Sequence, residues 1–107
     1  MTTEQKEKIL KKVKKAAGIP ETVTVYDERI SDLVQDAIIE MRTGGVSQAV
    51  MDEASPAVIE VISIYVKSGL RADAGDTTNA KWAQKRFEDR VFKLSLTPDG
   101  ATLEGFL

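Results

Sequence analysis

The sequence predicts an all-α fold: a compact bundle of about four helices with one extra short helical turn. Three observations predict it. Apolar residues recur every three or four positions in the long segments. Helix-start residues and Gly or Pro stops stand at the ends of those segments. The alternating stretch from Glu21 to Tyr26 is too short to define a strand. The 107 residues fit a single domain, and a chain of this size buries roughly 60–70% of its unfolded surface.

The first helix is expected from about Thr3 to Ala17. Thr2 and Gln5 are spaced as a capping box, and Gly18 with Pro20 forms the stop. Ile9, Leu10, Val13, Ala16 and Ala17 make a narrow apolar stripe and lysines occupy most of the rest, so the helix docks along one thin seam. From Asp27 the pattern broadens. Ile30, Leu33, Val34, Ala37, Ile38 and Met41 give a wide apolar face, with Asp27 and Glu28 at the positive end and Gly44-Gly45 as the stop.

Ser47 to Glu53 supplies the short turn. Ser55 before Pro56 is a capping residue ahead of proline at the first helical position. Val58 to Leu70 is rich in β-branched residues, which suit a buried strand. Glu60, Ser63 and Lys67 nevertheless form a polar stripe at helical spacing, so a central helix ending near Gly69 is expected. Residues 71–79 read as a mobile loop by composition. A last helix from Thr77 or Thr78 to Leu96 carries Ala80, Ala83, Phe87, Val91 and Leu94 on one face; Pro98-Asp99-Gly100 turns the chain into a C-terminal tail. The expected division is a basic N-terminal helix over 1–19, a helical core over 27–96 and a tail over 97–107, all in one domain.

Composition narrows the function. The chain has neither cysteine nor histidine, which removes disulfides, thiol nucleophiles, zinc fingers and every His-based triad. An intracellular product is expected. No cofactor, metal or catalytic residue is expected. No apolar run approaches the ~20 residues of a membrane helix, and no hydrophobic segment follows the N-terminal lysines as in a secretory signal. The net charge of −2 conceals a division: residues 1–20 carry +4 and the remainder −6.

That basic arm has three readings. Lys8, Lys11, Lys12 and Lys15 could contact phosphates, meet an acidic protein surface, or form a solvated helix face, the commonest meaning of a charge run. Nothing supplies the base-reading set of a helix-turn-helix or aromatic interleaving for single strands. Asp73 and Asp76 around Gly75 lack the ligand alternation and closing Glu of a calcium loop, so a polar connector is expected there. Asp32, Asp36 and Glu40 lie along one flank of the second helix with no nucleophile or base partner, which makes them a solvated face. Trp82 and Phe92 project to either side of the Phe87–Val91 face, as shoulders of the core or as exposed interface anchors. Thr102, Leu103, Phe106 and Leu107 in the apolar tail join them as candidate contacts.

The stretch Ala57-Val58-Ile59-Glu60-Val61-Ile62-Ser63-Ile64-Tyr65-Val66-Lys67-Ser68-Gly69-Leu70 resembles the A-I-x-x-Y-V-K-x-x-F helix of small tailed-phage head–tail connector (adaptor) proteins. In that family an Asp/Gly-rich loop follows, then a helix ending in L-x-x-x-L-S-L. Here the counterparts are Arg71 to Asn79 and Val91-Phe92-Lys93-Leu94-Ser95-Leu96. Tyr26 to Ala37 is similar to the family's first core helix. The resemblance covers about two-thirds of the chain, Val25 to Thr97, and rests on core and helix-end residues. It departs at Leu70, where an aromatic is common, and at Val91, near which a second Tyr often stands. The basic helix and the tail lie outside it.

The resemblance implies an all-α structural subunit of the head–tail junction of the virion, assembled in the host bacterial cytoplasm and catalysing no reaction. It implies a ring of about a dozen copies on the portal protein, extending a channel through which DNA passes without sequence-specific binding. Head-completion or tail-joining proteins would dock beneath. In that expectation Val58, Ile62, Tyr65, Phe87, Val91 and Leu94 hold the subunit core. The rival reading is a small helical nucleic-acid-binding module acting through Lys6 to Lys15; a regulatory, antitoxin-like partner protein is a weaker third.

Overall fold

The computed structural model of the chain describes residues 3–96. The tail candidates Thr102, Leu103, Phe106 and Leu107, the turn at 98–100 and Thr2 of the expected capping box lie outside the described residues.

Five helices follow in order: α1 (Thr3–Ala16), α2 (Asp27–Thr43), α3 (Gln48–Glu53), α4 (Pro56–Asp73) and α5 (Thr77–Ser95). Among the described residues there is no strand. The stretch from Glu21 to Tyr26 forms successive turns, with Val23 N–H donating to the Pro20 carbonyl and Asp27 N–H to that of Thr24. The β-branched run Val58 to Val66 is helical. Its residues bury against three different helices, and that packing outweighs their modest intrinsic cost.

Local chemistry sets the helix ends. The Ser47 hydroxyl accepts from Val50 N–H and that of Ser55 from Val58 N–H, with Pro56 opening α4. At the end of α1, Gly18 N–H donates to the Lys15 carbonyl and Ile19 N–H to that of Lys14, the paired bonds of a Schellman motif. Gly45 and Val46 close α2 in the same way.

Two sequence expectations are corrected around α4. Gly69 does not end the helix. It sits inside α4 where α2 crosses, and a Cβ there would meet Leu33 Cδ2 at 2.5 Å, so glycine permits the close approach. The expected mobile loop over 71–79 shrinks to Ala74–Asp76. Arg71 to Asp73 form the last turn of α4, held by a bidentate ion pair in which Arg29 Nε and Nη2 donate to Asp73 at 2.8 and 3.1 Å. Gly75, at φ +83°, closes α4, and Asp76 at once caps α5 by accepting from Asn79 N–H. Residues that read as loop by composition are here two helix termini.

α4 is the centre of the bundle and packs against α5, α2 and α1. Ile30, Leu33, Ala37 and Met41 from α2, Val58 and Ile62 from α4, and Phe87 and Val91 from α5 meet in one core, which α1 covers with Ile9 and Val13. Burying each such aliphatic contributes about 1.5–3 kcal/mol. Ser68 Oγ donates to the Ala80 carbonyl at 2.9 Å, tying α4 to the start of α5. Tyr65 and Leu94 only partly enter the core. The Tyr65 ring lies 4.9 Å from that of Phe87, tilted by 59°. Burial, with Asp36 and Glu40 nearby, pushes the Tyr65 phenol above its ordinary value.

Candidate functional site

α1 divides its lysines between two jobs. Lys8, Lys11, Lys12 and Lys15 are exposed. Lys14 is only 5% exposed. Its ammonium donates to the carbonyls of Val23 (2.8 Å) and Glu21 (3.3 Å) and stands 2.7 Å from Asp27 Oδ1, a buried oxygen with no other partner among the described residues. Lys14 is thus a structural clasp that fixes the 18–26 connection and anchors the start of α2. Sequence reasoning missed Lys14: its aliphatic stem lies beside Val13 in the seam of α1, and its head finds carbonyls that only the folded 18–26 connection brings near.

Two of the exposed lysines, Lys12 and Lys15, border a groove that Lys8 and Lys11 do not line. Between α1, α4 and α5 a hollow of about 610 Å³ has Lys12, Lys15, Lys67 and Arg86 at its rim and Pro56, Ile59 and Ile64 along its floor. A smaller hollow of about 310 Å³ shares Ile64, Lys67 and Arg86 with it and continues to Arg71 and Trp82. Together they form one channel with five cationic side chains and a single carboxylate, Glu60, which lies 3.6 Å from Arg90 and 3.9 Å from Arg86. The expected polar stripe of α4 is therefore only partly solvated. Ser63 is buried and its hydroxyl donates back to the Ile59 carbonyl at 2.7 Å.

Trp82 and Phe92 are both exposed, at 68% and 65%. Trp82 overlooks the basic channel, while Phe92 lies elsewhere on α5 with Leu96, itself 65% exposed, one turn further on. The structure therefore does not bring Trp82 and Phe92 into one patch. Leu96 was not among the sequence candidates, although its four-residue spacing from Phe92 was visible. Ile39, 60% exposed on α2, was also missed; it stands among Asp32, Gln35 and Asp36 on the solvent face of that helix.

Two of the acidic candidates, Asp73 and Asp76, have structural partners. Asp73 is held below the ordinary carboxylate range by the hydrogen bonds from Arg29, and Asp76 by those from Asn79. Both serve helix ends, which accounts for the acids of the calcium-like sequence. Asp32, Asp36 and Glu40 line the exposed side of α2. Among the described residues no three His, Cys, Asp or Glu side chains converge as a metal site would need, and no helix is long and apolar enough to cross a membrane. What the arrangement offers is recognition: a basic, apolar-floored channel, an acidic helix face and exposed aromatic anchors.

A family model described as phage connector protein matches residues 9–101. The match takes in most of the basic helix and the whole of α2 to α5, and stops before Thr102. No curated protein and no solved structure matches the chain.

Proposed function

The chain belongs to the phage connector protein family, and from that premise we propose that it is a subunit of a phage head–tail connector that assembles as a ring on the portal. The family match over residues 9–101 carries this reading. Each copy extends the DNA channel and offers a platform to a head-completion or tail-joining protein, with no chemical step. The subunit then belongs to the virion at the head–tail junction, after assembly in the host bacterial cytoplasm.

Several features support the reading. Trp82 and the Phe92–Leu96 pair leave large apolar groups in solvent on a chain with nothing of its own to cover them among the described residues, as interface anchors do. The tail residues Thr102, Leu103, Phe106 and Leu107 are further contacts with a neighbour or the portal in this proposal. The testing experiment is co-sedimentation of the full chain with its portal, compared with a chain lacking residues 101–107. Attachment by the full chain and impaired attachment by the shortened one are expected. A chain that never associates with the portal overturns the reading.

One observation favours a second reading: Lys8, Lys11, Lys12 and Lys15 all face solvent on one helix. As a nucleic-acid-binding module the chain would bind duplex DNA through them, with affinity falling steeply as salt rises. DNA binding abolished by Lys11, Lys12 and Lys15→Ala, without any portal attachment, is the result that would favour this module.

A further inference from the structure

We infer that the basic channel between α1, α4 and α5 is the seat for the acidic face of α2 from a second copy of this chain. The inference rests on the connector reading and names the two surfaces that would join neighbouring copies.

The channel asks for an occupant that is elongated, apolar along its crest and acidic at its sides. Its floor is apolar, with Ile59 and Ile64, and its rim carries Lys12, Lys15, Lys67 and Arg86. Along α4 it runs from Pro56 to Arg71, about 22 Å at the helical rise per residue. The 17 residues of α2 span about 25 Å, so one helix fills it lengthwise.

The exposed side of α2 has the matching chemistry. Glu28, Asp32, Asp36 and Glu40 recur every fourth residue, all exposed. Ile39 projects among them, 60% exposed. The buried side of the same helix, Ile30, Leu33, Val34, Ala37 and Met41, is committed to the subunit's own core, so the exposed side is the one free to dock; its one cation among these acids, Arg29, is already paired with Asp73. None of the residues lining the channel belongs to α2. Seat and ridge are therefore separate surfaces of one molecule, and their contact is head-to-tail. A contact of that kind repeats from copy to copy and closes into a ring when the rotation allows. Helix-in-groove docking uses an apolar crest for affinity and flanking charges for register. The opposed charges also give the +4 arm and the −6 remainder of the chain a common purpose.

The test exploits the absence of cysteine from the chain. Full-length Gln35→Cys chains, with the thiol on the α2 ridge, are mixed with full-length Lys67→Cys chains, with the thiol in the channel. They are then assembled on the portal and oxidised. Cross-linked dimers are expected from the mixture and not from either variant alone. Charge reversal gives the second arm. Lys12→Glu with Lys67→Glu, or Asp32→Lys with Asp36→Lys, should each reduce ring formation at least tenfold, and all four changes in one chain should restore it. Circular dichroism checks that every variant is folded. If wild-type rings form but the mixture gives no dimers and the reversals leave assembly intact, the inference is overturned and the connector reading stands. If the wild-type chain never meets the portal, both fall. Reversed-channel variants that assemble normally but lose duplex DNA binding would give the channel to nucleic acid. Dimers that appear only after residues 97–107 are removed would give it to the chain's own tail.

Discussion

Replacing Gly69 with alanine sets two effects of opposite sign against each other. In an ordinary helix interior the change stabilises by about 0.5–1 kcal/mol, because alanine loses less backbone entropy. At this position the new methyl would lie 2.5 Å from Leu33 Cδ2, 2.8 Å from Cδ1 and 3.2 Å from Cγ. Comfortable carbon contacts are ~3.5–4.0 Å, so α2 and α4 must separate or Leu33 must leave its rotamer. Leu33 is 4% exposed and has no solvent to swing into, and since Cγ is also close, rotating its end does not clear the clash. Overpacking of this kind costs about 1–3 kcal/mol. The clash wins: Gly69→Ala should destabilise by roughly 1–2 kcal/mol, lowering Tm by roughly 4–10 °C for a domain of this size. Urea and thermal unfolding read the effect directly. In a Leu33→Ala background the clash is gone and Gly69→Ala should become neutral or stabilising. A wild-type-background Tm that is unchanged or higher would refute the α2–α4 contact.

Lys14→Met should cost about 2 kcal/mol, because it strips two carbonyls and the buried Asp27 oxygen of their donor; Lys12→Met in the same helix should stay within about 0.5 kcal/mol, and equal effects in denaturant titration would contradict the clasp. Phe87→Ala, which empties a core site, should cost about 3–5 kcal/mol, whereas Trp82→Ala and Phe92→Ala should leave stability within about 0.5 kcal/mol while weakening portal attachment. Tyr65→Ala should fall between these limits, at about 2–3 kcal/mol, since the ring is only partly buried. Asp73 and Asp76 have folded-state pKa values below their unfolded ones, so their stabilisation is present above pH ~4 and is lost as the pH falls through the lowered values. The loss of stability between pH 7 and pH 3 should shrink in Asp73→Asn/Asp76→Asn, and an unchanged loss would assign it to other carboxylates.

Helix type and order were legible because α1, α2 and α5 have one-sided apolar patterns, α4 has a polar stripe on an otherwise apolar surface, and the helix ends are chemically explicit. Ser47, Ser55 with Pro56, and Gly18 and Gly45 all mark boundaries that the hydrogen bonds bear out. Gly69 and residues 71–79 misled for one physical reason. Glycine and aspartate stop helices when viewed locally, but the α2 crossing requires a glycine inside α4, and a cap for α5 requires an aspartate. The burial of Lys14 depends on a connection nine residues away, which periodicity cannot see. The basic channel was legible only in part. The lysines of α1 stood out as a cluster, but Lys67, Arg71 and Arg86 join them through the packing of α4 beside α1 and α5.

The most direct measurement is electron microscopy of the full-length chain mixed with the portal protein of the same phage. A closed ring of this subunit beneath the portal, coaxial with the DNA channel and with α2 of each copy against α1, α4 and α5 of the next, is the expected result. Portals that remain bare at saturating concentrations of folded protein would contradict the connector assignment.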